Sequence, residues 1–208
     1  MKPTSNLIIS HYTLRLMIGA MCFGLPIALF FAKWIQQGDA TIEISISDYY
    51  DNGAAGDIFV GVLFVLGFFL FSYKGYDKWD DRIATLAGAF ALIAALFPDT
   101  TGIKWVSRVH LSSALLLFVC FITFSIYLFR KTESDPEHLP KPKKYSNRVY
   151  LICGIIMIAT ILTIILGYIF FYKEMNPNKV VFWCEGIALM AFGFSWIIKS
   201  EYLFWKDQ

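Results

Sequence analysis

Apolar residues gather into six long runs, Leu16–Ala32, Ile58–Tyr73, Ile83–Pro98, Val109–Phe129, Val149–Tyr172 and Val180–Ile198, separated by short polar segments. A helix rises about 1.5 Å per residue, so roughly 20 residues cross a hydrocarbon core about 30 Å thick. Val109–Phe129 and Val149–Tyr172 have that length. Ile58–Tyr73 and Ile83–Pro98 fall short and must draw in neighbours such as Gly56, Asp57 and Trp79. The runs are continuous, without the strict alternation of a membrane barrel strand. The pattern predicts an all-α, polytopic membrane protein. One domain, residues 1–208, holds six transmembrane helices in a bundle, with spans at about 14–34, 56–73, 81–98, 108–129, 149–172 and 180–199.

Composition agrees. Hydrophobic residues make up 57 % of the 208 and charged residues 16 %, and the mean hydropathy is +0.57. A water-soluble fold of this size has no interior large enough for so much apolar surface. The first run follows Lys2 and Arg15 and continues through Trp34 without an Ala-x-Ala exit, so it is expected to stay as a permanent span. The four cysteines (Cys22, Cys120, Cys153, Cys184) fall inside spans and none has CxxC spacing, which argues against a disulfide framework or a thiolate metal site.

Charge then orients the bundle. If the helices cross alternately, 13 of the 18 Lys and Arg residues share a side with the N-terminus, Lys74–Arg82, Arg130–Arg148 and the tail after Ile198. Lys33, Lys104, Arg108, Lys173 and Lys179 fall on the other side. Acidic residues divide eight and eight, so the faces carry +5 and −3. The positive-inside rule makes the first face cytoplasmic, with both termini inside a plasma or cytoplasmic membrane. Trp34, Trp105, Tyr172 and Trp183 are expected at the outer boundary; Tyr73, Trp79, Tyr127, Trp196 and Trp205 are expected at the inner one. Arg130–Arg148, with Pro136, Pro140 and Pro142 amid charges, is expected to be a flexible cytoplasmic connection. Orientation explains the basic residues, so they give no support to nucleic-acid binding.

Polar residues converge at the outer level. Ser47 and Asp48 lie in the first outer loop, Asp57 begins helix two, Asp99 follows helix three, Arg108 and His110 open helix four, and Glu185 enters helix six. A charge at a span's centre costs roughly 2.5–3.5 kcal/mol, less near an end, so Glu185 should face the bundle and have a partner, Arg108 or His110. The candidate ligand-binding set is Ser47, Asp48, Asp57, Arg108, His110 and Glu185. For Glu185 and His110 the alternative is a hydrogen-bond network that pins helices together; for Asp48 it is turn capping. Ala87, Ala91 and Ala95 lie four apart on helix three, which is expected to be central, and glycines including Gly19, Gly24, Gly56 and Gly61 are expected to serve packing. Pro26 should kink helix one and could open a lateral gap.

The three histidines, His11, His138 and His110, lie at different levels and cannot share a metal. No cofactor is expected, and a metal enters only as a mixed site of His110, Asp57 or Asp48, and Glu185. No GxSxG, Walker, HExxH or CxxCH motif is present.

Two segments carry a family likeness. ISISDYYDNGAAGDIFVGVLF (Ile44–Phe64) resembles the first outer loop of the damage-regulated autophagy modulator (DRAM) family, where Ile-Ser-Asp precedes helix two. FWCEGIALMAFGFSWIIKSE (Phe182–Glu201) resembles that family's last helix, which begins Cys-Glu-Trp. Gly186 stands where that Trp would be, and Tyr49–Tyr50 where Thr-Gly would be. The whole chain is also similar to the bacterial membrane proteins of domain of unknown function 998, in which an Ala-Leu-Phe-Pro-like end of helix three (Ala95–Pro98 here) and a His opening helix four recur. The motifs cover roughly a fifth of the chain. The resemblance implies six helices, cytoplasmic termini and lipid handling, including remodelling of lipid-anchored proteins, and it marks Ser47, Asp48, Glu185 and His110.

These readings lead to an expected outward-facing polar pocket that binds or handles a lipid or amphiphile, with membrane lipids as partners and a homo-oligomer left open. The alternatives are a lipid hydrolase or transferase using His110 and a carboxylate as acid and base, metal-assisted or not, and a small proton-coupled transporter or channel. The last is weakened because no second charge lies near the midplane or in the inner half.

Overall fold

In the computed structural model, which describes residues 10–131 and 141–200, six helices are long and apolar enough to cross a membrane. They are α1 (His11–Gln37), α2 (Ala54–Ser72), α3 (Lys78–Leu96), α4 (Lys104–Ile126), α5 (Lys141–Phe170) and α7 (Val180–Lys199). A short α6 (Tyr172–Met175) and three 3-10 turns (Ser47–Asp51, Asp99–Thr101 and Leu128–Arg130) complete the described elements. Lys2, Pro136, His138, Pro140, Trp205 and Lys206 lie outside the described residues.

Local chemistry sets the boundaries. Asp77 caps α3 by accepting the N–H groups of Trp79 and Asp80, which moves the helix start ahead of the apolar run. Gly38, at φ 69°, ends α1 with its N–H on the Trp34 carbonyl. Lys141–Arg148, expected as loop, forms the first two turns of α5. Pro142 falls in the first turn, where its missing N–H breaks no helical bond and its fixed φ suits the helix.

The helices close a ring in the order α1, α2, α3, α4, α5, α7, with α7 packing on both α1 and α5 and leaning inward to touch α4. The centre of the bundle is therefore α7, not α3 as the alanine stripe implied. In α7, 67 % of the apolar window is buried, against 33 % in α3. Small residues on α3 serve a tight pairwise approach instead. A Cβ on Gly88 would stand 2.7 Å from the Gly67 carbonyl oxygen of α2. The α1–α7 crossing is just as close, since a Cβ on Gly193 would meet the Gly19 carbonyl at 2.6 Å. Gly24 and Gly61 face open space and contribute no such contact.

The buried aromatics gather toward the Lys131 end of the bundle. Phe121 and Phe192 stack with centroids 3.6 Å apart, and Tyr73 meets Trp196 edge-on at 4.9 Å. Tyr73 and Trp196 are fully buried and belong to this core, not to an interfacial belt; Trp34, Trp79, Trp105, Tyr127, Tyr172 and Trp183 are exposed. Burial of such rings in lipid gains dispersion contacts, not water exclusion, so their tight edge and face geometry matters more than area. At the same end Lys131 pairs with Asp77 at 2.8 Å and with the buried Asp80. That hydrogen bond from Lys131 holds the Asp77 carboxyl below the usual range. Asp80 also accepts the Tyr76 N–H at 2.8 Å.

Candidate functional site

At the opposite end, the chain between α1 and α2 folds back over the bundle. Lys33, 4 % exposed near the end of α1, donates to Glu43 at 2.6 Å, to the Thr41 carbonyl at 3.0 Å and to Thr41 Oγ1 at 3.1 Å, and pairs with Asp39 at 3.0 Å. Asn52 Nδ2 donates to Glu43 as well, at 3.0 Å. Hydrogen bonds to Thr41, then that from Lys33, hold the exposed Asp39 carboxyl down at about 2. The buried lysine head is thus paired and fully bonded by groups that themselves reach solvent. Sequence reasoning counted Lys33 only as an outer cation. The usable signal was its place inside the apolar run with two acids six and ten residues on.

The same segment is pinned to α7 at two points. The Phe182 N–H donates to the Ile44 carbonyl at 2.9 Å, and the Ile46 N–H donates to Glu185 Oε2 at 2.8 Å. Glu185 is half-buried, and among the described residues no cation pairs with it. The expected partners are placed elsewhere. Arg108 is exposed on α4. His110, 3 % exposed, aims Nδ1 at the carbonyls of Ala94 and Phe97, each at 3.0 Å.

That His110 geometry follows from Pro98. The Ala94 carbonyl would take the N–H of residue 98 if α3 continued, but proline has none. His110 supplies the missing donor from the neighbouring helix. Two flanking oxygens require the hydrogen on Nδ1, so the neutral ring keeps Nε2 as an acceptor. The paired Ala-Leu-Phe-Pro and His motifs thereby acquire a shared structural cause.

Three of the six expected residues come together. Ser47, His110 and Glu185 are the polar walls of a cavity of about 50 Å³, otherwise lined by side chains such as Leu25, Phe59, Leu63 and Leu117. The Ser47 and Ser45 hydroxyls share a hydrogen bond at 3.0 Å. A second cavity of about 120 Å³ lies among α4, α5 and α7, lined by Leu115, Thr160, Ile161 and Ile164. Ala114, Phe118 and Glu185 line both. A groove of about 330 Å³ runs beside Pro26 between α1 and α7 and is walled by Phe30, Phe31, Trp183, Ile187 and Met190.

The other three stand apart. Asp48 accepts the Ser45 N–H at 2.9 Å while its own N–H donates to Ser45 Oγ at 3.2 Å, a reciprocal turn bond that leaves it outside the cavity wall. Burial raises the Asp48 carboxyl; the Ser45 hydrogen bonds oppose this, and the charges of Glu43 and Asp99 add to it. Asp57 and Arg108 are exposed and line neither cavity. A mixed metal set of His110, Asp57 and Glu185 is therefore not assembled. Among the described residues no three His, Cys, Asp or Glu side chains are grouped to hold a metal ion. The four cysteines are free and buried. Comparison with family models, with curated proteins and with solved structures finds no match to this chain.

Proposed function

We propose that this six-helix membrane protein binds an amphiphile at its extracytoplasmic end, with the headgroup among Ser47, His110 and Glu185 and the apolar chain between α4, α5 and α7. One observation carries the reading: Glu185 lines both the small cavity that Ser47 and His110 also line and the larger one toward α5. A carboxylate that only pinned the first loop would need one acceptor oxygen for Ile46 and no cavity on either side. Polar groups converging at the end of an apolar cleft are the ordinary form of a small-molecule site. The orientation, with both termini in the cytoplasm, rests on the cation asymmetry.

Native mass spectrometry of protein extracted in mild detergent tests the reading. The wild type should retain an amphiphile, and Ala114→Phe, which fills the wall common to both cavities, should retain less. Wild-type protein without bound amphiphile and an Ala114→Phe variant indistinguishable from it would overturn it. Orientation is checked by single cysteines at Asp51 and Lys78, both exposed, on a background of four buried thiols. A membrane-impermeant reagent should label the first from outside and the second only after permeabilisation.

A second reading, hydrolysis or transfer on the same amphiphile, is favoured by the fixed imidazole. An Nδ1 committed to two carbonyls leaves Nε2 as the acceptor a general base requires. Product release from a bound ester that stops in His110→Gln would select it over binding alone.

A further inference from the structure

We infer that the amphiphile carries a hydrogen-bond-donating headgroup without negative charge, an alcohol or an amine on a long apolar chain, and that phosphate headgroups are rejected. This rests on the reading above and adds the chemistry of the ligand to it. The inference follows from which polar atoms remain unused around the cavity.

With Glu185 ionised and the His110 ring neutral, the vacancies left on these two side chains are acceptors. Glu185 spends Oε2 on the Ile46 N–H, and Oε1 keeps its lone pairs. His110 spends its Nδ1 hydrogen on Ala94 and Phe97, and Nε2 keeps its lone pair. Ser47 alone can give or take, because its bond to Ser45 runs in either direction. A phosphate oxygen is acceptor-only and anionic. It would meet a carboxylate and an imidazole lone pair, with one hydroxyl to offer it a hydrogen. Sites that hold phosphates do the reverse, presenting Arg, Lys or several N–H groups.

None of the five cations at this end, Lys33, Lys104, Arg108, Lys173 and Lys179, lines either cavity. Lys33 is closed within Glu43, Asp39 and Thr41. Arg108 is exposed on α4 and lines neither cavity. Around the cavity the nearby charges are acidic: the 3-10 turn carrying Asp48 packs against the one carrying Asp99. At this depth little solvent screens them, so like charge counts for more than at a wet surface. The size of the cavity lined by Ser47, His110 and Glu185, about 50 Å³, suits a hydroxymethyl or aminomethyl terminus and is small for a phosphodiester with its second substituent. The apolar lining toward α5 takes the chain.

The test uses the full chain in phosphatidylcholine nanodiscs and three photoreactive probes with one common acyl chain: a long-chain amine, a monoacylglycerol and a lysophosphatidate. The amine and the glycerol probe should label α4 or α7 beside Glu185 at least about tenfold more than the phosphate probe, the scale of one hydrogen bond to a charged group. Glu185→Gln keeps an acceptor for Ile46 and removes the charge. It should cut labelling by the amine more than labelling by the glycerol, which separates the two headgroup sources. Cavity labelling by the phosphate probe as strong as by the others would overturn the inference and leave amphiphile binding standing. Labelling by all three at the level of the lipid-exposed face of α5, unchanged in Ala114→Phe, would overturn amphiphile binding itself.

Discussion

The two ends of the bundle set their buried ionisable groups in different surroundings. At the Lys131 end, cation and acids are matched: Lys131 meets Asp77 and Asp80, and Asp80 also takes a backbone N–H. Phe121, Phe124, Phe129, Phe192 and Trp196 fill the space above them. At the Glu185 end, the Lys33 cluster is equally closed, but among the described residues Glu185 and His110 bond only backbone groups and line a cavity. A matched, packed network stabilises; a network with spare capacity beside empty volume costs stability unless something fills it.

The largest effect should come from removing the packed end. Trp196→Ala empties a fully buried indole site and should lower stability by about 3–5 kcal/mol, measured by unfolding in mixed micelles, while amphiphile retention per folded molecule stays at the wild-type level. Loss of retention in this variant would break the comparison by coupling the two ends. Next is Lys33→Met, which leaves Glu43 without its cation. It should cost about 3 kcal/mol, the low end for a broken buried pair because Glu43 is part-exposed, and raise the mobility of a spin label at the neighbouring Ala40. An unchanged loop would show that the Lys33 cluster does not hold the segment over the cavity.

A pair of variants at Glu185 sharpens the contrast. Glu185→Ala strands the Ile46 N–H and should cost about 1–2 kcal/mol. Glu185→Gln should cost less than about 0.5 kcal/mol while still weakening ligand capture. Equal stability losses in the two would reduce Glu185 to its charge on the fold. The smallest effect is at Asp39. Its carboxyl is held at about 2, below the ordinary 3.8, by the Thr41 bonds first and then by Lys33. A depressed folded value means that its contribution is present above the unfolded value and is lost as pH falls through the folded one. The mobility of a spin label at the exposed neighbour Ala40 should therefore rise between about pH 4 and pH 2 with Asp39 in place and rise less in Asp39→Asn.

Much of this architecture was legible because a bilayer imposes a simple rule. Six apolar runs with helical length have few alternatives when every backbone polar group must be satisfied inside the span. Val180–Ile198 matches α7 almost to the residue, and Glu185 stood out because it interrupted an uncharged run. Boundaries were less legible where a helix continued into polar sequence, as at Lys141–Arg148, since hydropathy reports lipid and not hydrogen bonding. The central helix was misplaced for a related reason. An alanine stripe signals close approach to a neighbour, and α3 achieves that at the ring's circumference against α2 and α4.

By itself the sequence determined the number of helices long and apolar enough to cross a membrane, and the end of the bundle at which Ser47, His110 and Glu185 lie, because these depend on composition along a single axis. Only the tertiary structure decided which of those groups share a cavity, that Asp57 and Arg108 point away, and that His110 completes a helix end broken by Pro98. Those facts depend on helix rotation and on backbone groups left unpaired by distant residues. Neither leaves a periodic trace in a linear chain.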